Sequence, residues 1–211
     1  MDKGDYVVHL VDDEEPVRKS LVFLLTMAGY TVRQHESATA FLSVASTINN
    51  GCLVTDLRMP DLDGIELLRR LRQLPSSIPT IVITGHGDVP LAVEAMKAGA
   101  LDFIEKPFKE EILAAAIDRA AASLGKVAVH EDISAIRARA ASLSEREREV
   151  FSAVVAGLPN KTIAYDLDIS PRTVEVHRAN VMSKMEAKSL PDLVRMALEA
   201  GLDSSKEHQT G

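Results

Sequence analysis

Short apolar runs recur through the first half of the chain, and each gives way to polar residues at its carboxyl end. They are Tyr6-Val-Val-His-Leu-Val11, residues 31–35, Cys52-Leu-Val-Thr55, Thr80-Ile-Val-Ile83 and Leu101-Asp-Phe-Ile104. Continuous runs of this length predict buried strands of a parallel sheet. Between them the apolar period lengthens to that of a helix. Val17, Leu21, Leu24 and Leu25 share one face and end at Gly29; a helix is predicted at 38–46; Gly64 opens one carrying Leu67, Leu68 and Leu71; two more follow at 89–98 and 109–123. Five βα units in strict alternation predict an α/β fold, a five-stranded parallel sheet with helices on both faces. The flavodoxin-like strand order 2-1-3-4-5 fits that number of units.

The pattern breaks at Gly125. Small and charged residues then dominate as far as Ala141, as in a partly helical linker, and beyond it no strand period returns. Four short helices are predicted at 145–156, 160–167, 171–185 and 190–200. Ser144 and Glu147 form a capping box, Asn160 is placed to cap the second helix, and Ser170 with Pro171 starts the third. The expected division is an α/β domain at 1–123, a linker at 124–142, an all-α domain at 143–202 and a polar tail at 203–211.

Composition narrows the class. With 46% hydrophobic and 26% charged residues, the chain is that of a globular protein. It has no apolar stretch long enough to span a bilayer and no leader-like start, so a cytoplasmic location and no membrane partner are expected. The single Cys52 excludes an intrachain disulfide and lies in an apolar run, where it reads as a buried structural thiol. The net charge is −7, and residues 1–124 carry 12 Lys and Arg against 18 Asp and Glu. So acidic a chain argues against indiscriminate nucleic-acid binding while leaving room for a local basic helix.

The strand ends carry the chemistry. Asp12, Asp13, Asp56, Thr84 and Lys106 all follow or finish predicted strands, and ligands of parallel sheets bind at that edge. Three acids, a hydroxyl and an amine suit metal-assisted phosphoryl transfer: the acids hold Mg²⁺, and cations neutralise the phosphoryl oxygens. Asp13 and Asp56 are the direct ligands, with Asp12 binding directly or through water and the backbone carbonyl of Arg58 adding a further oxygen. Asp56 is the best nucleophile, Lys106 pairs with the acids and a phosphate oxygen, and Thr84 with the N–H of Gly85 holds another. A phosphatase of the haloacid-dehalogenase type needs a second acid two residues after its nucleophile, and Arg58 stands there, so substrate turnover is not expected. Asp61-Leu-Asp63-Gly64 lacks the ligands of a calcium loop and reads as a turn. His86 and His177 have no partner at metal-ligand spacing.

Residues 5–123 resemble the receiver domain of two-component response regulators. The resemblance rests on Val11-Asp-Asp-Glu14, Asp56-Leu-Arg-Met-Pro60, Asp63-Gly64, Thr84-Gly85 and Lys106-Pro-Phe108. It implies that Asp56 is the phosphoacceptor of a histidine kinase, that Asp12, Asp13 and Asp56 hold Mg²⁺, and that Lys106–Pro107 is a cis bond. It also places Phe103 at the family's switch-aromatic position, working with Thr84.

In the second domain two helices joined by a short turn form a helix-turn-helix. On helix 171–185, Val174, Val181 and Met185 face inward. Arg172, Glu175, Val176 and Ala179 are placed to meet base edges, and Arg178 and Lys184 to meet phosphates. Residues 143–200 resemble the LuxR-type DNA-binding domain, on Leu143-Ser-Glu-Arg-Glu-Arg-Glu149, Gly157, Asn160-Lys161, Ile163-Ala164, Leu167, Ile169-Ser170, Thr173-Val174, His177 and Lys184-Met185. That implies a four-helix domain binding promoter DNA as a homodimer, with Thr173 among its contact residues. The stretches Thr84-Gly-His-Gly-Asp-Val-Pro90 and Pro171-Arg-Thr-Val-Glu175 are similar to the nitrogen-fixation branch of that family, whose kinases sense oxygen. The expectation is therefore a non-enzymatic, phosphorylation-activated transcription regulator that dimerises and works with RNA polymerase. A constitutive DNA-binding regulator with the receiver as an interaction module is the alternative, and a phosphatase the more distant one.

Overall fold

The structure, a computed structural model, describes residues 6–74, 78–85, 88–124 and 132–203. The residues 125–131 of the expected linker, the tail from 204 onward and His86 lie outside the described residues. Five strands, β1 (Val7–Val11), β2 (Thr31–His35), β3 (Gly51–Asp56), β4 (Thr80–Thr84) and β5 (Asp102–Glu105), alternate with α1 (Glu15–Met27), α2 (Ala38–Ala45), α3 (Gly64–Leu71), α4 (Val89–Ala98) and α5 (Glu110–Ser123). The sheet is parallel throughout, in the order β2-β1-β3-β4-β5. The predicted fold and strand order are both found.

The strand pleat sends alternate residues to opposite faces. Val8 and Leu10, Cys52 and Val54, and Ile81 and Ile83 meet Leu21 and Leu25 of α1 and Leu113, Ala116 and Ile117 of α5. On the other face, Val11 and Leu53 meet Ala38 and Phe41 of α2 and Leu67 and Leu71 of α3. Each buried Leu or Ile contributes ~1.5–3 kcal/mol, so two-sided burial is what holds the central strands in register. Cys52 is buried in the first of these layers, and burial pushes its thiol up to about 12, which leaves it inert at neutral pH.

The turn after β3 is closed by Gly64. Its N–H donates to the Leu57 carbonyl at 2.8 Å, and Asp63 caps α3 by accepting from the Glu66 N–H. A Cβ at position 64 would lie 2.8 Å from the Asp56 carbonyl oxygen, so the chain returns this closely to the strand end only as glycine.

The second unit is helical: α6 (Ile133–Ala141), α7 (Glu145–Val155), α8 (Asn160–Asp166), α9 (Pro171–Met185) and α10 (Leu190–Ala200). Its core gathers Val150, Phe151 and Val154 with Ile163, Val174, Val181, Met185, Leu193 and Ala197. The four predicted helices are present. The segment 124–142, read as a partly helical linker, contributes a fifth: α6 is capped by Asp132 and buries Ile136 in the same core. One inward apolar residue in a run of alanines and arginines is too weak a period to announce a packed helix. Asn160 does not cap α8, whose cap residue is Pro159; the Asn160 side chain turns instead toward α9.

Candidate functional site

The parallel sheet delivers its strand ends to one edge. Asp12, just past β1, is 1% exposed; Asp56 closes β3 and Thr84 closes β4, both buried. Lys106 follows β5, where its backbone N–H donates to the Thr84 carbonyl at 2.7 Å and the Lys106–Pro107 bond is cis. Its ammonium reaches back across the edge and donates to Asp56 Oδ1 at 2.8 Å and to Asp12 Oδ2 at 3.1 Å. One cation thus joins residues 94 and 50 positions away in the chain.

Each carboxylate has a second tie. Asp12 Oδ1 accepts from the Glu14 N–H at 2.9 Å, and Asp56 Oδ2 from the Arg58 N–H at 2.8 Å. Burial pushes the Asp12 carboxyl above the usual range, against the pull of Lys106. Burial also works against the Lys106 ammonium, but the hydrogen bonds and charges of Asp56 and Asp12 outweigh it and hold the lysine above its ordinary value.

Of the three predicted metal-binding acids, two are brought together, while Asp13 is exposed. Among the described residues no group of three or more His, Cys, Asp or Glu side chains is close enough to hold a metal. The remaining donors are hard oxygens meeting at one point with residual negative charge, which fits Mg²⁺, an ion that keeps several waters and takes few protein ligands. Phe103 lies on β5, paired with Val82, and is half-buried.

In the helical unit, Ser170 caps α9 by accepting from the Thr173 N–H, and the Ser170 and Thr173 hydroxyls lie 2.8 Å apart. Arg172, Glu175, Val176 and Ala179 are exposed together, with an ion pair between Arg172 and Glu175 at 2.9 Å. The other two basic residues are engaged within the fold. Arg178 is half-buried and donates to Asn160 Oδ1 at 2.6 Å. Lys184 donates to Glu147 Oε2 at 2.6 Å, and that same oxygen accepts from the Ser144 N–H at 2.8 Å in the capping box. Glu147 is buried, and its carboxylate is held down at about 2, chiefly by Lys184 and then by Ser144. Sequence reasoning missed this clasp because the capping box already gave Glu147 a local role, and its partner lies 37 positions away. Tyr165 of α8, 87% exposed beside α9 in sequence, also passed unremarked.

Comparison with known proteins decides between the chemistries that such an edge could serve. Residues 8–118 match the family described as response regulator receiver domain, and residues 141–197 match the bacterial regulatory proteins of the luxR family. The chain belongs to the LuxR-type response regulators. The transcriptional regulatory protein FixJ of Rhizobium meliloti (strain 1021) is 68% identical over 95% of this chain and 99% of the relative. The response regulator protein TmoT of Ectopseudomonas mendocina is 44% identical over 93% of this chain and 90% of its own. Among solved structures, full-length FixJ from B. japonicum is 51% identical and covers 94% of this chain and 98% of its own, with a TM-score of 0.56. The likeness to the FixJ proteins extends along nearly the whole chain. Membership brings a histidine kinase as the receiver's partner and DNA as that of the helical domain. Among the described residues no helix is long and apolar enough to cross a membrane.

Proposed function

We propose that Asp56 accepts a phosphoryl group from a cognate histidine kinase, and that this modification drives homodimerisation and promoter binding through α9. The observation carrying the reading is Lys106 Nζ seated between Asp12 and Asp56 at the sheet's carboxyl edge. The two oxygens of Asp56 are held differently: Oδ2 by a backbone N–H in a closed turn, Oδ1 by the Lys106 ammonium. Oδ1 is therefore the attacking oxygen. It bonds to phosphorus as the P–N bond of the kinase's phosphohistidine breaks; the imidazole nitrogen leaves with the bond pair and takes a proton from solvent. Lys106 exchanges Oδ1 for a phosphoryl oxygen, and Thr84 with the N–H of Gly85 holds another. Asp12 and Asp56, with Asp13 and the Arg58 carbonyl, would hold Mg²⁺, which when bound neutralises charge on the transferring group.

Phosphorylation adds about two negative charges to the edge. Thr84 is drawn toward them, Phe103 buries behind it, and the surface around α4 and β5 becomes a dimer contact. Two α9 helices then read half-sites about one DNA turn apart. The names of the FixJ relatives support transcriptional control; the proposed targets are nitrogen-fixation or microaerobic genes under an oxygen-sensing kinase, with the chain an activator working with RNA polymerase.

The test is incubation of the intact chain with an acyl-phosphate donor and Mg²⁺, followed by mass measurement, sedimentation and promoter footprinting. The wild type gains one phosphoryl group, dimerises and protects DNA; Asp56→Asn does none of these. Full donor-dependent dimerisation of Asp56→Asn overturns the proposal, and equal promoter affinity with and without donor favours the constitutive regulator instead.

A further inference from the structure

The helical unit holds an open cavity of about 380 Å³ that neither the capping box nor α9 accounts for. It is lined by Leu143, Phe151 and Leu202, by Ala140 and Ala141, and by Ser152, with Arg137 and Arg148 among its walls. The volume is at the low end of the ~300–1,000 Å³ typical of small-molecule sites.

The two guanidiniums give the apolar pocket a chemical preference. Arg137 uses Nε and Nη2 on the Ala200 carbonyl, at 3.2 and 3.0 Å, and Arg148 uses Nη2 on the Leu143 carbonyl at 3.3 Å. These bonds go to neutral backbone oxygens at helix ends, so they tether both exposed side chains without discharging them. Among the described residues neither arginine has a carboxylate within ion-pair distance, and neither Nη1 makes a hydrogen bond. Elsewhere in this unit Arg139, Arg146, Arg172, Lys184 and Arg195 all have acidic partners. Two unmatched, pre-positioned forks beside an apolar surface favour a planar anion with an apolar body. Inorganic phosphate would satisfy the forks and leave the Leu143–Phe151–Leu202 wall wet; a neutral hydrocarbon would do the reverse.

From this geometry we infer that the helical unit binds a small amphipathic monocarboxylate, its carboxylate on Arg137 and Arg148 and its apolar end against Phe151 and Leu202. Arg137 and Arg148 are exposed at the mouth of the groove, so meeting both them and the apolar wall requires a ligand of benzoate or hexanoate size. The site lies apart from the exposed face of α9, so occupancy and DNA contact are compatible.

The experiment titrates the full-length chain with benzoate and hexanoate, with benzyl alcohol and phosphate as controls, following backbone amide resonances. Saturable shifts at Leu143, Phe151, Ser152 and Leu202 are expected with either carboxylate, and binding about tenfold weaker or worse for both controls. Arg148→Gln should weaken carboxylate binding by about tenfold. Ala141→Phe, which fills the cavity from the exposed end of α6, should abolish it while leaving helical circular dichroism unchanged. Absence of saturable shifts at these four positions up to about 10 mM overturns the inference. Equal binding by the alcohol, or undiminished binding by a folded Ala141→Phe chain, overturns it as well.

Discussion

Lys106 matters because of what surrounds its ammonium. Two carboxylates share one cation, so removing it leaves like charges side by side in a partly buried edge, and one of them must take up a proton. Lys106→Met should therefore give a carboxyl titration in the receiver displaced upward toward neutrality, seen by ¹³C NMR of the Asp side chains, together with loss of phosphoryl accumulation. A second polar pair lies within the sheet's other face. His9 Nδ1 and His35 Nε2 are 3.0 Å apart, the rings stack at 5.3 Å, and Phe41 meets both edge-on. Burial first, then His35 and Arg33, lower His9 from its ordinary 6.5 to about 4. The unfolded chain thus binds the proton first, and stability that is complete above 6.5 falls as pH drops toward 4. At pH 5 the loss from this group is on the order of 1–2 kcal/mol. Denaturant melts at pH 7 and 5 should show it, and His9→Leu should remove most of the difference.

At the scale of elements, the receiver strands were legible because the three central ones, β1, β3 and β4, are buried in nearly every residue, giving runs that nothing else in the chain imitates. Helix boundaries followed from local chemistry at Ser144 and Ser170. The ties between elements were not legible. Nothing in the spacing of Asn160 and Arg178, or of Glu147 and Lys184, distinguishes an internal partner from a solvated charge, and α6 hid in a stretch with a single inward isoleucine. The Glu147–Lys184 clasp carries its own prediction. A lysine on phosphate releases a counterion, so its removal lowers the salt slope of DNA binding by about one unit. A lysine clamping α7 to α9 acts through position, so Lys184→Met should lower the melting temperature of the helical unit and weaken DNA binding at every salt concentration, leaving the slope unchanged. Loss of a full unit of slope with an unchanged melt would return Lys184 to the DNA. On the receiver side, Ile117→Ala in α5 should cost about 2–5 kcal/mol in denaturant melts, as a fully buried side chain that contacts the sheet.

For the molecule as a whole, the charge distribution sets how DNA must be bound. The chain carries −7, and the basic groups of α9 are each engaged: Arg172 by Glu175, Arg178 by Asn160, Lys184 by Glu147. α9 alone therefore offers little free positive charge to a phosphate backbone, and on the proposed function the affinity comes from pairing two copies. Promoter binding measured against protein concentration should rise as the second power with phosphodonor present, and a first-order rise would mean that one copy suffices. The close return of the chain at Gly64 has a further consequence. Because the turn from Asp56 is pinned at Leu57 and leaves no room for a side chain, the end of β3 and the start of α3 are held against each other. A displacement of the Asp56 backbone should reach the start of α3, and the exchange rate of the Gly64 amide hydrogen should change when phosphodonor and Mg²⁺ are added.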